Sequence, residues 1–151
     1  MKVVVITRND DLQKLAQDIN NAAWDEANEM SEYDGDALLA YLDRQDTLFA
    51  ACYNGDSRTT LLGIASGRFE IKPYARERWL YVDEVDVCAD HRQKGVGRAI
   101  MQKLIALAEE ADCEEVWLGT EVDNRPANAL YLSLEPDDVA SVVGYTYEMQ
   151  E

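Results

Sequence analysis

Apolar residues recur along this chain with two periods, and the switches between them mark out its elements. Val3, Val4, Val5 and Ile6 form a short apolar run that predicts an opening strand over residues 2–7. Asn9, Asp10 and Asp11 then supply helix-capping chemistry. Leu12, Leu15, Ala16 and Ile19 follow at helical spacing, so residues 10–22 read as a helix. Residues 24–36 are polar and turn at Asp34-Gly35-Asp36, and a short helix carries Ala37, Leu38, Leu39, Tyr41 and Leu42. The apolar run 47–53, the turn Asn54-Gly55-Asp56 and the run 60–69 predict an antiparallel hairpin. After a loop over 73–78, residues 79–88 are strand-like, with Leu80, Val82, Val85 and Val87.

The clearest helix spans 95–111, where Val96, Ala99, Ile100, Leu104, Ile105, Leu107 and Ala108 make one apolar face. A strand over 116–120 follows, then a helix over 124–134 with Pro126 in its first turn, where proline is tolerated. Residues 142–149 read as a final strand. The order β-α-α-β-β-β-α-β-α-β predicts an α/β (α+β) fold, a mixed sheet with helices on both faces.

At 151 residues the chain fits one domain over 1–151, and its hydrophobic content of 47% supplies a core. No apolar run approaches the ~18 residues that span a membrane. The opening run is too short for a signal peptide, so the expectation is a cytoplasmic protein. Cys52, Cys88 and Cys113 match no disulfide or metal spacing, and no metal is expected. Net charge is −16, with 30 acidic against 14 basic residues. A chain this acidic repels nucleic acid and anionic membranes and attracts polycations.

The local exception to that charge carries the chemistry. After Val85-Asp86-Val87-Cys88, the chain reads Arg92-Gln93-Lys94-Gly95-Val96-Gly97-Arg98 and enters the clearest helix. A helix N-terminus offers unpaired N–H groups and partial positive charge, which suits a phosphate or pyrophosphate. Gly95 and Gly97 admit a close ligand, and Arg92, Lys94 and Arg98 add positive charge. A dinucleotide fingerprint is excluded because position 100 is Ile where a third glycine is required, and no Gly-Lys-Ser/Thr phosphate loop is present.

Arg92-x-x-Gly95-x-Gly97 after a Val-x-Val strand resembles the acetyl-CoA signature of the GNAT superfamily of N-acetyltransferases, and Asn124-x-x-Ala127-x-x-x-Tyr131 is similar to its second signature. The resemblance implies a mostly antiparallel sheet with a splayed parallel strand pair, acetyl-CoA as co-substrate, and often a homodimer. It implies that the backbone at Val85 and Val87 holds the pantetheine arm and that residues 92–98 hold the pyrophosphate. Asn124 and Tyr131 then belong to the acetyl-CoA helix, with Tyr131 near the thioester sulfur.

The implied reaction is direct attack of an amine on the thioester. A carboxylate removes the amine's proton, and a backbone N–H at Val87 stabilises the oxyanion. Tyr131, with a pKa near 10, can protonate a thiolate of roughly 8.5. Asp83, Glu84 and Asp86 supply candidate bases. Strand alternation puts Glu84 and Asp86 on one face and Asp83 on the other, unless a bulge intervenes. Glu84 is the preferred base, because family members often carry an acidic residue there, and Glu121 is the reserve. Cys88 as an acyl-accepting nucleophile is the alternative mechanism, and His91, the only histidine, falls in the phosphate loop.

Between Lys14 and Arg44 no basic residue occurs, while Asp25, Glu26, Glu29, Glu32, Asp34 and Asp36 cluster there with Trp24 and Tyr33. Such a cluster suits a small cationic amine. In the family this early helix-loop region lines the acceptor site, so the resemblance makes Asp25, Glu26, Glu29 and Tyr33, with Asp83 and Glu121, the candidate acceptor residues.

From about residue 38 onward, Gly67-Arg68-Phe69-Glu70, Trp79-Leu80-Tyr81-Val82-Asp83-Glu84 and Asp123-Asn124-Arg125-Pro126-Ala127 look like the small aminoglycoside 3-N-acetyltransferases. The usual Gly-Phe after the tyrosine is replaced by Leu132-Ser133-Leu134. Three readings remain open at this stage: an aminoglycoside N-acetyltransferase, an acetyltransferase for another amine, and an acetyl-CoA-binding module with little catalysis.

Overall fold

A computed structural model describes residues 1–150. The chain forms two compact units, Met1–Leu118 and a second that begins at Gly119.

The first unit is built on a five-stranded sheet in the order β1-β2-β3-β4-β5. Its strands are β1 (Lys2–Val5), β2 (Thr47–Tyr53), β3 (Leu61–Ile71), β4 (Arg78–Val87) and β5 (Glu115–Trp117). The first four pair antiparallel, and β4 pairs parallel with β5. That last pairing spans only Trp79 to Tyr81 on β4, whereas β4 runs on to Val87, so the parallel pair opens after three residues.

Helices α1 (Leu12–Asn21) and α2 (Gly35–Leu42) cover one face, and α3 (Val96–Glu110) the other. The first face has a core of Leu12, Leu15, Ile19 and Leu38 from the helices against Phe49, Ala51 and Ile64 from the sheet. On the second face, Gly63 admits α3 closely. A Cβ there would lie 2.8 Å from Asp86 O and 3.1 Å from both Val96 Cγ1 and Ile100 Cδ1. Burial of these side chains follows the 3.6-residue apolar period of α1 and α3. Asp11 caps α1 by accepting from Lys14 N at 3.0 Å, and Asp34 caps α2 by accepting from Ala37 N at 2.8 Å.

The second unit contains α4 (Arg125–Ser133). Residues 142–149, expected as a final strand, form none. Val142, Val143, Tyr145, Tyr147 and Met149 are all exposed. The alternation is real in the sequence, but a strand needs a hydrogen-bonded neighbour, and none is paired with this segment. The expected strand 116–120 is likewise shorter, ending at Trp117.

No helix among the described residues is long and apolar enough to cross a membrane. Nor do any described His, Cys, Asp or Glu residues group to hold a metal ion.

Candidate active site

The site grows from a bulge in β4. Ser66 opposes Glu84 and Gly67 opposes Val82, so Asp83 is an extra residue on β4. The bulge resets the alternation. Trp79 and Tyr81 oppose Glu70 and Arg68, while Glu84 and Asp86 oppose Ser66 and Ile64, all on the face that α1 and α2 cover. Asp83 joins that face too, accepting from Arg68 Nε at 3.3 Å. Strand alternation alone had turned Asp83 away, and the bulge corrects that expectation. Arg68 is further engaged by Glu70 and lies 4.9 Å from the Tyr81 ring centroid. Asp83 thus pairs with Arg68 at the edge of the site.

Glu84 borders a cavity of about 330 Å³, walled by Tyr33, Tyr41, Phe49 and Ser66, with Glu29 and Glu32 at its rim. Tyr41 donates its hydroxyl to Gly67 O at 2.8 Å, and Tyr33 meets Phe49 edge-on with centroids 6.2 Å apart. Burial, followed by the charges of Asp86 and Asp83, raises the Glu84 pKa. Burial also raises Asp86, against the opposing effects of Asn28 and Arg92. Tyr33 is pushed up to about 12 by burial and then by the Glu84 and Asp86 charges. A carboxylate with a raised pKa, open to a cavity with aromatic and acidic walls, can receive a cation and take a proton from it.

The acidic loop resolves into separate duties. Glu29 and Tyr33 line the cavity. Asn20 fixes Tyr33 by donating to its carbonyl and accepting from its amide, each at 2.8 Å. Trp24 donates its indole N–H to Ile19 O at 2.7 Å, so it braces the end of α1. Asp25 caps a short 3₁₀ turn, Glu26–Asn28, on which Glu26 is exposed. Asp25 also holds Arg92, and Arg92 Nη2 reaches Asn28 Oδ1 at 2.9 Å. Asn28 Nδ2 donates to Asp86 Oδ1 at 2.9 Å. The importance of Asn28 went unrecognised, although Asp25-x-x-Asn28 has the spacing of a reciprocal N-terminal cap. Tyr41, Phe49 and Ser66 were missed as well, because only the folded sheet brings them beside Glu84.

The segment after β4 has the geometry of an anion cradle. Cys88 N donates to Leu62 O at 2.9 Å, so alternation turns the amides of Val87 and Val85 toward the edge where β4 and β5 part. Gln93, Lys94 and Gly95 are exposed, and Gly95, at φ 85°, occupies the left-handed N-cap of α3. The first backbone bond of α3 runs from Ala99 N to Gly95 O at 2.9 Å, so the amides of its first turn have no partner within the helix. The nearest atom to a Cβ at Gly95 would be Met1 Cε at 3.9 Å, so the loop is open there. Val96 and Gly97 are buried, so they offer no side chain to a ligand at this turn. Arg98 is exposed one residue on, and His91 closes the 3₁₀ turn Ala89–His91. These residues fit a pyrophosphate.

Cys88 is unsuited to nucleophilic work. It is 1% exposed, its thiol faces Leu61 O at 3.4 Å, and burial pushes its pKa up to about 11.

In the second unit, Asn124 caps α4 by accepting from Ala127 N at 3.3 Å, and its Nδ2 donates to Thr120 Oγ1 at 3.2 Å. Asn128 ties the preceding loop to the helix through Glu121 O at 3.0 Å and Asn124 O at 2.8 Å. Glu121 is exposed, and Tyr131 is half-buried on α4.

This arrangement of sheet, bulge and helix-capped anion loop defines the GNAT class of acetyltransferases. The model of the acetyltransferase (GNAT) family matches residues 10–134, and the chain belongs to that family. A sequence relative, N-alpha-acetyltransferase 30 of Xenopus laevis, is 39% identical over 54 residues, which is 36% of this chain and only 20% of that protein. The chain thus spans about a fifth of that relative. Among solved structures, an aminoglycoside acetyltransferase from an uncultured soil metagenomic sample, bound to sisomicin, superposes with a TM-score of 0.84 at 18% identity. The match covers 99% of this chain and 96% of that one. A ribosomal-protein-alanine N-acetyltransferase from Brucella melitensis biovar Abortus 2308 superposes with a TM-score of 0.74 at 19% identity, covering 98% of each chain. At these identities the likeness is one of fold.

Proposed function

We propose that this protein transfers an acetyl group from acetyl-CoA to a primary amine of a polycationic acceptor, an aminoglycoside being the foremost candidate. One observation carries the reading. A single strand, β4, presents Glu84 to an acidic, aromatic-walled cavity and runs directly into the anion loop at the start of α3. Arg92, Gln93, Lys94, Gly95, Val96, Gly97 and Arg98 would bind the pyrophosphate, and the turned-out amides of Val85 and Val87 the pantetheine arm. Acetyl-CoA supplies the activated acyl group. Glu84, directly or through water, takes a proton from the acceptor's ammonium so that the neutral amine can attack the thioester, and its raised pKa brings it closer to that task. Asp86 adds negative charge that favours a cation in the cavity. Tyr131 and Asn124 are carried by the family signature, with Tyr131 as the acid for the departing thiolate.

Acceptor choice rests on charge and on the fold of the neighbours. A cavity of about 330 Å³ takes one ring or one side chain at a time. The sisomicin-bound neighbour favours an aminoglycoside amine, and the 3-N position follows only from the resemblance in sequence. The local match to N-alpha-acetyltransferase 30 and the ribosomal-protein-alanine neighbour favour a protein N-terminus as the second reading.

The test is thiol release from acetyl-CoA in the presence of sisomicin, other aminoglycosides, spermidine and N-terminal peptides. Turnover on aminoglycosides supports the first reading, and turnover on peptides alone replaces it with the second. Tight CoA binding with no turnover on any amine would leave a binding module.

A further inference from the structure

Asp25 and Arg92 enter the proposed function with opposite duties, one toward a cationic acceptor and the other toward a pyrophosphate. In the structure they hold each other. Arg92 donates through both terminal nitrogens to the two oxygens of Asp25, with the Nη2–Oδ1 contact at 3.1 Å, and Nη2 also reaches Asn28 Oδ1 at 2.9 Å. Asn28 in turn donates to Asp86 Oδ1 at 2.9 Å. Glu29, the next residue, leaves the turn in the left-handed region at φ 49° and forms part of the cavity wall. One short turn is therefore bonded to the anion loop at one side and borders the cavity at the other.

A guanidinium binds carboxylate and phosphate through the same planar fork of N–H donors. With Asp25 occupying that fork, a pyrophosphate brought to Arg92 meets both a used donor set and a like charge. Building on the acetyl-CoA reading above, we propose that Asp25 is an internal competitor for Arg92. Acetyl-CoA binds by taking the guanidinium from it, and the released carboxylate becomes available to the cationic amine. Asn28 retains its bond to Asp86 and keeps the turn in place during the exchange. The two substrates are thereby coupled, and by linkage each tightens the binding of the other by the same factor.

Asp25→Asn tests this cleanly, because Asn caps as well as Asp and the turn keeps its acceptor for Ala27 N. CoA is titrated calorimetrically into the wild type, Asp25→Asn, Arg92→Gln, the double variant and Glu26→Gln. The last makes the same charge change one residue on. The expected result is CoA bound roughly three- to tenfold more tightly by Asp25→Asn, under twofold change for Glu26→Gln, and no effect of Asp25→Asn once Arg92 is Gln. In turnover with whichever amine the panel identifies, Asp25→Asn lowers the KM for acetyl-CoA and raises the KM for the amine.

Unchanged or weaker CoA binding by Asp25→Asn overturns the competition. Equal tightening in the Arg92→Gln background reduces it to bulk charge and also overturns it. A lowered acetyl-CoA KM with an unchanged amine KM removes the transfer of Asp25 to the acceptor. A wild type that does not bind CoA defeats the acetyl-CoA reading itself, whereas one that binds CoA with an inert Asp25→Asn defeats only the coupling.

Discussion

Glu84 is the residue on which activity and stability pull apart. Burial, then Asp86 and Asp83, raise its pKa in the folded chain. A carboxyl with a raised folded pKa stabilises the fold below its unfolded pKa, and that contribution is lost as pH rises through the folded value. At neutral pH the ionised group therefore opposes folding. Glu84→Gln is expected to raise Tm at pH 7, with the gain disappearing below about pH 4. The same change should lower kcat by roughly 10²–10⁴-fold, the usual range for a proton-transfer group. Wild-type kcat/KM should fall at low pH with a midpoint above that of a free glutamate. An unaltered rate in Glu84→Gln would shift the role to Asp86. Cys88→Ala should behave oppositely, losing on the order of 1 kcal/mol of stability while keeping turnover per folded molecule. A dead but folded Cys88→Ala would revive the covalent route. The pair of carboxylates, the glycine-containing loop before α3 and the buried cysteine are all legible as residues. Their orientation is not, because the extra residue Asp83 decides it, and a bulge leaves no mark in an apolar pattern.

At the scale of elements, the contact between α3 and the sheet is what binds the anion loop to the carboxylates. At Gly63, Asp86 O, Val96 and Ile100 crowd the place where a Cβ would stand. Asp86 O belongs to β4 and cannot yield as a side chain does, so Gly63→Ala should strain the β3–β4 pair there and, through Val96 and Ile100, push the start of α3 off the sheet. The expected loss is about 1–3 kcal/mol of stability, the usual range for overpacking. CoA binding should weaken with it, measured by urea unfolding and calorimetry together. Full stability with weak CoA binding would mean that α3 shifts without strain. The periods of α1, α3 and the β2–β3 hairpin made these elements readable in advance, since burial on one face imposes the pattern. The 3₁₀ turn Glu26–Asn28 was read only as an acidic loop, because three residues are too few to show a period. Residues 142–149 fail in the reverse sense. Their alternation is complete, yet pairing depends on a partner edge that no local pattern encodes.

Across the whole molecule, the −16 charge and the basic loop before α3 predict unequal salt responses for the two substrates. A polycationic acceptor approaches a surface that attracts it at long range, and salt screens that attraction over a Debye length of about 8 Å at 0.15 M. In the proposed reading acetyl-CoA, an anion, is repelled by the same surface, and the local reversal of charge at residues 92–98 offsets that repulsion. Raising salt from about 0.02 to 0.3 M should therefore increase the acceptor KM several-fold. Over that range the KM for acetyl-CoA should change by less than twofold, because screening weakens its repulsion and its loop contacts together. Neutralising the rim of the cavity tests the origin of the effect. Glu29→Gln with Glu32→Gln removes two charges from the cavity rim, and should raise the acceptor KM at low salt while flattening its salt dependence. If the double variant keeps the full salt slope, the attraction comes from the remaining 28 acidic residues as a bulk field, the 30 of the chain less these two. The cavity rim would then select the acceptor by shape rather than by charge. If the slope falls with the rim charges, the acidic stretch between Lys14 and Arg44 acts as the part of the surface that draws the amine toward Glu84.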